Sequence, residues 1–354
     1  MRPLFATIHS AALKHNLAVV RRHAPASKVL AVIKANAYGH GLSRAAAALS
    51  EADGYALLEL DEAVRLREAG YRQRIVLLEG FFGPDELPLL ARHRLAAVVH
   101  CREQIAALDG LAADARLDVL LKVNTGMNRL GLSPGEFAAA RDRLRSNPGV
   151  GAIALMTHFA NADDARGVAW QMARLQQLPD GDTLPRSLAN SAAILRYPET
   201  HADWVRPGIM LYGCSPFPEG VGDEAGLKPA MTLESRIIAV QDLRPGDTVG
   251  YGGMFRADRA LRIGVVACGY ADGYPRHAPN GTPVSVAGRT TGTAGRVSMD
   301  LLCVDLSELP EAGPGARVVL WGEGMPVERV AQAAGTVGYQ LLCALAPRVR
   351  IVEA

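Results

Sequence analysis

The sequence predicts an α/β protein: a (β/α)8 barrel of the TIM type over residues 1–227, then a mostly β domain over residues 228–354. Three observations predict it. Eight short apolar runs alternate with amphipathic stretches in the first part, the pattern of parallel strands covered by helices. The conspicuous polar residues fall at or just after the C-terminal ends of those runs, where a barrel carries its chemistry. Past about residue 228, β-branched runs alternate with turn signals instead. The alternation alone also fits a doubly wound sheet; the count of eight favours closure.

The runs are Leu30–Asn36, Gly54–Leu60, Arg74–Gly80, Leu95–His100, Leu117–Asn124, Val150–Ala160, Pro185–Ser191 and Trp204–Gly213. After the second, Asp61 can cap a helix on which Leu60, Ala63 and Val64 share a face, and Gly70 stops it. After the fifth, Ser133-Pro-Gly-Glu136 reads as a capping box with proline at the first helical position, and Phe137, Ala140 and Leu144 line the inner face. From Cys214 to Pro229 prolines and glycines reach turn density, which marks a domain boundary. Beyond it the expected strands are Leu233–Val240, Leu261–Cys268, Val284–Ala287, Leu301–Leu306 and Ala316–Trp321. One late helix places Val327, Val330, Ala331 and Ala334 on one face, with Gly335 after it.

Composition narrows the partners. The 38 basic and 36 acidic residues leave a formal charge of +2 with no basic block, which argues against nucleic acid. No apolar run is long enough to span a bilayer, and residues 1–7 lack the pattern of a secretory signal, so the expected location is the cytoplasm. Cys101, Cys214, Cys268, Cys303 and Cys343 are odd in number, far apart and without metal spacing. They read as small, mostly core residues in a reducing compartment, and no metal site is expected.

The stretch Ala31-Val-Ile-Lys-Ala-Asn-Ala-Tyr-Gly-His-Gly41 is the most informative. An apolar run ends in Lys34, two glycines break the pattern, and an Ala-rich helix follows. A lysine leaving a strand end for solvent is the ordinary reading. A lysine neutralised by burial is also the standard nucleophile for a carbonyl, which it holds as a Schiff base.

The string VIKANAYGHG resembles the cofactor-lysine signature of the alanine racemases, pyridoxal-phosphate enzymes built of a barrel and a β domain. The resemblance extends over nearly the whole chain, because further motifs recur in order. It implies racemisation of L- and D-alanine on pyridoxal 5'-phosphate bound through Lys34, with D-alanine as a peptidoglycan precursor. Inverting Cα requires proton carriers on both faces of the cofactor. The resemblance gives Lys34 one face and Tyr251, in Gly250-Tyr-Gly252, the other, with Tyr251 supplied by the partner subunit of a homodimer. Read without the resemblance, Tyr251 is a turn tyrosine whose flanking glycines permit an unusual backbone path. A phenol ionises near pH ~10, so Tyr251 needs cationic neighbours to act as a base near neutrality. His158 and Arg206 match the residues that link it to the cofactor.

Arg206 matches an arginine facing the pyridine nitrogen. A guanidinium donates a hydrogen bond but does not give up its proton. The ring is then a weak electron sink, and racemisation is favoured over transamination and decarboxylation. Tyr38, Ser191, Gly208, Ile209 and Tyr339 match phosphate ligands, with Asn190 beside them. This agrees with the rule that barrel phosphates lie after the last two strands. Ser191 alone would also read as a helix N-cap. In Leu121-Lys-Val-Asn-Thr-Gly-Met-Asn-Arg-Leu-Gly131, Arg129 matches the residue near the substrate carboxylate, and Lys122 a lysine often carbamylated in the family. An unmodified Lys122 paired with an acidic neighbour is the rival reading. In Val297-Ser-Met-Asp300, Met299 resembles the residue whose N–H meets the substrate carboxylate, with Asp300 beside it. Gly269-Tyr-Ala-Asp-Gly-Tyr-Pro-Arg276 matches a segment lining the substrate's approach. There Tyr270 and Tyr339 leave room for a small side chain, and Asp163, Arg276 and Arg296 form an outer charged layer. The alternatives are a non-catalytic pyridoxal-phosphate-binding barrel, a decarboxylase of the same architecture, and a racemase acting on serine or a basic amino acid. The Gly250-Tyr-Gly252 and Ser298-Met-Asp300 motifs weigh against the first, and Arg206 against the second.

Overall fold

The computed structural model describes residues 2–217 and 225–354. It contains the expected closed barrel. After β1 (Phe5–Ile8), eight parallel strands pair in sequence order and close: β2 (Lys28–Val32), β3 (Gly54–Leu57), β4 (Arg74–Leu77), β5 (Ala96–Val99), β6 (Leu117–Lys122), β7 (Val150–Met156), β8 (Arg186–Ser187) and β9 (Trp204–Val205). Each lies wholly or largely within one of the eight apolar runs, and β2 also pairs with β9. Their side chains are mostly buried on both faces, which is why alternation is absent from these strands.

The helices follow their local signals. The segment after β3 is helical over Leu60–Glu68, two residues earlier than an Asp61 cap requires. Glu59 is the extended cap residue, and Asp61 and Glu62 fall in the first turn, where carboxylates favour the dipole. The capping box at Ser133 is present, and Phe137, Ala140 and Leu144 are buried as expected.

The second part is mostly β. Its main sheet runs β15 (Arg289–Gly292), β14 (Pro283–Val286), β17 (Arg317–Trp321), β10 (Met231–Leu243), β1, β18 (Arg350–Glu353). The strands β13 (Leu261–Val266) and β16 (Leu302–Asp305) branch from β10, and β11 (Thr248–Val249) pairs with β12 (Phe255–Arg256). Helix Val327–Ala333 buries Val327, Val330 and Ala331, and a second short helix, Gly338–Cys343, follows it.

Compactness divides the chain differently from a single cut after residue 227. One unit comprises Asn16–Ala37 and Gly41–Leu211; the other comprises Met1–His15, Tyr38–His40 and Tyr212–Ala354. The cause is β1, which pairs antiparallel with β10 and parallel with β18. Residues 2–15 therefore belong with the β unit. Of the turn-dense segment expected at the boundary, residues 218–224 lie outside the described residues. Among the described residues, no helix is long and apolar enough to cross a membrane. Cys214 and Cys268 are buried, Cys101 and Cys303 half-buried, Cys343 exposed, and none of the five is in a disulfide.

Candidate active site

In the barrel unit, the sequence-predicted polar residues gather at the C-terminal ends of the strands. Lys34 lies two residues past β2 and opens an unusual turn. Ala35, Asn36, Ala37 and Tyr38 all have left-handed backbones, with φ of 53°, 52°, 54° and 52°. For L-residues this costs roughly 1–2 kcal/mol each, so intrinsic preference opposes the turn, and hydrogen bonds within residues 33–42 close it. Ala37 N–H donates to Ile33 O at 2.9 Å, Gly41 N–H to Asn36 O at 2.9 Å, and Leu42 N–H to Asn36 Oδ1 at 2.9 Å. Strain held in this way concentrates at functional sites.

Arg206 comes immediately after β9 and is 4% exposed. Its guanidinium donates to Ser187 Oγ at 2.8 Å, Thr157 O at 2.7 Å and Leu188 O at 3.1 Å, and lies 3.4 Å from His158 Nδ1. Burial lowers it to about 10, so it stays charged at neutral pH. His158, two residues past β7, is driven well below its ordinary value, by burial first and then by Arg206, Lys122, Arg129 and Lys34; the ring is neutral. Lys122 ends β6 and is buried. Burial, then Arg206 and Arg129, push it down to about 8, while Glu79 acts in the opposite direction. Lys122, Arg129, Thr157 and His158 line one small cavity.

Thr157, Ser187 and Gln171 are supporting residues that the sequence did not single out. Thr157 Oγ1 donates to Val123 O at 2.9 Å and meets Thr125 Oγ1 at 2.8 Å. Buried Gln171 donates to Thr125 Oγ1 at 2.7 Å and His158 O at 3.1 Å, and accepts from Ala160 N–H at 2.7 Å, which fixes the chain at the histidine and just after it. Ser187 lay inside a recognised run, but nothing in that run marked its hydroxyl as an acceptor for Arg206.

After β8, Asn190 caps the helix Ser191–Arg196, its side chain accepting from Ala193 N–H at 3.0 Å. Ser191 is therefore the first helical residue, not the cap. Its buried Oγ accepts from Gly208 N–H at 2.9 Å, just before the 3₁₀ turn Ile209–Tyr212.

In the other unit, the Tyr38 ring stacks on Tyr212 with centroids 4.5 Å apart and lies 6.1 Å from Tyr339. Burial first, with Cys343 adding to it, raises the Tyr38 phenol far above its usual range and keeps it protonated. Gly39 beside it has φ +81°, and a Cβ there would sit 2.3 Å from Leu342 O. Tyr251 is 72% exposed on a turn between Gly250 (φ +71°) and Gly252 (φ +73°). Met299 is 54% exposed, Tyr270 is partly exposed with the Arg276 guanidinium 6.0 Å from its ring, and Met254 and Leu301 are exposed as well. Asp300 pairs with Arg348. Arg296 is exposed on the same unit, and Asp163 is half-buried on the barrel unit. Among the described residues, no group of three or more His, Cys, Asp or Glu is placed to hold a metal ion.

Residues 8–216 match the family described as alanine racemase, N-terminal domain, and residues 230–353 match alanine racemase, C-terminal domain. The chain belongs to the alanine racemase family. This racemase is 62% identical to the alanine racemase of Nitrosospira multiformis, with 99% of each chain covered. It is similar in structure to the biosynthetic alanine racemase of Pseudomonas aeruginosa, with a TM-score of 0.96, 47% identity and full coverage of both chains. It also resembles the alanine racemase of Acinetobacter baumannii, with a TM-score of 0.95, 38% identity and full coverage of both. It is an amino-acid racemase, and its family uses pyridoxal phosphate.

The donor set of the barrel unit fits such a cofactor. Lys34, Lys122, Arg129 and Arg206 act together on the site's electrostatics, and Glu79 is the carboxylate that opposes them. Cations in that excess suit an anionic group, and Arg206 is fixed by three oxygen acceptors.

Proposed function

We propose that this racemase interconverts L- and D-alanine by two proton carriers, Lys34 on one face of the substrate and Tyr251 of a second subunit on the other. The carrying observation is the cationic end of the barrel, where Lys34 follows β2 and a buried Arg206 stands beside a neutral His158. Pyridoxal phosphate, when bound, supplies the electron sink that makes the Cα–H acidic enough to remove.

The chain's own residues supply the rest. The Lys34 amine holds the cofactor at rest and, once released, takes the Cα proton from one enantiomer. The Tyr251 hydroxyl delivers a proton to the opposite face, and the roles reverse in the other direction. His158 and Arg206 support the phenol's return to its starting state. Arg206 is held by Ser187, Thr157 and Leu188, so it would donate to the cofactor's ring nitrogen from a fixed position without transferring its proton. We assign Ser191, Gly208, Ile209, Tyr38 and Tyr339 to the phosphate, with Asn190 fixing the helix that carries Ser191. Arg129 and the Met299 N–H receive the substrate carboxylate, Asp300 supports the Met299 loop, and Tyr270 restricts the side chain to a small one. Arg276, Arg296 and Asp163 form the outer layer.

Lys122 in its neutral form is a nucleophile for CO2. The amine nitrogen bonds the carbon and releases a proton, giving a carbamate anion that would orient Arg129. The displacement of Lys122 toward neutrality supports this reading. The exposed Tyr251, Met254, Met299 and Leu301 support a homodimer in which residues 228–354 cover the partner's site. A cytoplasmic role in D-alanine supply for peptidoglycan follows the same reading.

The test is incubation of the purified protein with L-alanine in D2O, with and without added pyridoxal phosphate. D-alanine should form, and deuterium should enter Cα of both enantiomers. Serine, lysine and arginine serve as rival substrates. Failure to form D-alanine with cofactor present overturns the proposal; faster turnover of a rival overturns the substrate.

A further inference from the structure

Two loops of the β unit carry the side chains assigned above to the substrate: residues 269–273 with Tyr270, and residues 297–301 with Met299. Their backbones are joined. Tyr270 N–H donates to Ser298 O at 3.0 Å, Ala271 N–H to Met299 O at 3.0 Å, and Ser298 N–H to Leu301 O at 2.9 Å. Met299 is exposed and Tyr270 partly so, hence neither tip is anchored by burial of its own side chain.

The anchor lies beneath them. Asp272 is 0% exposed. Its Oδ1 accepts from Arg2 Nη1 at 2.6 Å and from Arg348 Nε at 2.6 Å. Its Oδ2 accepts from Arg2 Nη2 at 2.8 Å and from Gly269 N–H at 2.9 Å. The second donor of each arginine reaches the Met299 loop. Arg2 Nη2 donates to Asp300 O at 2.6 Å, and Arg348 Nη2 to the Asp300 carboxylate. Both backbone groups of Asp272 also anchor the turn: its N–H donates to Gly269 O at 3.1 Å, and its carbonyl accepts from Ala346 N–H at 3.2 Å.

Two carboxylates and two guanidinia balance in charge, and every Asp272 oxygen is satisfied. Such a network is rigid while complete, and costly once one partner is removed. It also joins residues far apart in sequence, 270 positions between Arg2 and Asp272 and 76 between Asp272 and Arg348, so the loops do not hold themselves.

We infer that Asp272, Arg2 and Arg348 are positioning residues for the reaction. The cluster fixes the backbone of residues 298–300 so that the Met299 N–H is aimed at the substrate carboxylate. The inference rests on the assignment of the Met299 loop to that carboxylate, and it adds the device that holds the loop in place.

The test uses the full-length, cofactor-loaded enzyme and the variants Asp272→Asn, Arg348→Gln, Arg348→Lys, Arg2→Ala and Met299→Pro. For each, kcat and KM for L-alanine are measured, with the Ki of propionate, which has alanine's carboxylate but no amine. Asp272→Asn and Arg348→Gln should raise KM and Ki together, roughly tenfold, since misplacement by about 1 Å can cost up to ~100-fold. In both variants kcat should change less, and Arg348→Lys should recover part of the loss. A merely structural role lowers melting temperature or kcat and leaves Ki where it was; that result overturns the inference. Met299→Pro removes the N–H itself. If it leaves Ki unchanged, the carboxylate assignment falls. If it raises Ki while Asp272→Asn and Arg348→Gln do not, only the positioning role falls. Should Asp272→Asn not fold, the partly exposed Arg2→Ala carries the same reading: Ki raised supports the inference, Ki unchanged overturns it.

Discussion

Replacing Lys122 by methionine removes a buried charge and keeps a flexible apolar stem. In the folded chain burial, then Arg206 and Arg129, lower the lysine from 10.5 to about 8. That difference corresponds to ~3 kcal/mol, at ~1.36 kcal/mol per tenfold change in proton affinity. The sign follows from proton counting. Between pH 8 and 10.5 the unfolded chain holds the proton and the folded chain has released it, so stability rises with pH there. Below about pH 8 both states are charged, and the folded state carries the whole cost. In CO2-free buffer at pH 7, cofactor-free Lys122→Met should therefore be more stable than the natural sequence by ~3 kcal/mol. The advantage should shrink through pH 8 and vanish by about pH 10.5. Guanidinium unfolding at several pH values measures it. In bicarbonate buffer at constant pH, carbamate formation turns a repelled cation into an anion facing Arg206 and Arg129, so the gap should narrow. A less stable variant at pH 7, with a gap that does not move with pH, would refute the reasoning.

His158→Gln should flatten the acid side of the stability curve. His158 titrates well below its ordinary value of 6.5. As pH falls below 6.5 the unfolded chain gains a proton that the folded chain refuses, and the natural sequence loses stability there. Equilibrium unfolding between pH 5 and 8 would show a shallower slope for the variant. Gly39→Ala should destabilise by about 2–4 kcal/mol, because φ +81° disfavours a side chain and the Cβ would meet Leu342 O at 2.3 Å. Thermal melting and pyridoxal-phosphate titration would read the loss together with any weaker phosphate hold through Tyr38.

Much of the barrel was legible in the sequence because its signals are local. A parallel strand buried on both faces writes itself as a short apolar run, and the capping box at Ser133 needs four consecutive residues. The strand Phe5–Ile8 was not legible. Its partners in β10 and β18 lie more than two hundred positions away, and four residues are too few to show a period. The left-handed turn Ala35–Tyr38 was hidden for a different reason. Alanine and tyrosine carry no local instruction for successive positive φ angles, and the hydrogen bonds that close the turn, all within residues 33–42, show only in the folded chain. Lys34 and Arg206 could be named from motifs. What holds Arg206, namely Thr157 and Ser187, appears only once the strands are side by side. The Asp272 cluster has no sequence signature, since charges at positions 2, 272 and 348 look unrelated until the β unit folds.

The central claim is that each reaction site takes Lys34 from one subunit and Tyr251 from the other. Mixing two inactive variants tests it most directly. Lys34→Ala and Tyr251→Phe homodimers should each be nearly inactive. After subunit exchange in the presence of pyridoxal phosphate, random pairing makes half of the dimers mixed, and each mixed dimer holds one intact site. Racemisation should return to about a quarter of the natural rate. Recovery near that fraction is the predicted result; no recovery, in a mixture shown by mass spectrometry to contain mixed dimers, would contradict the claim.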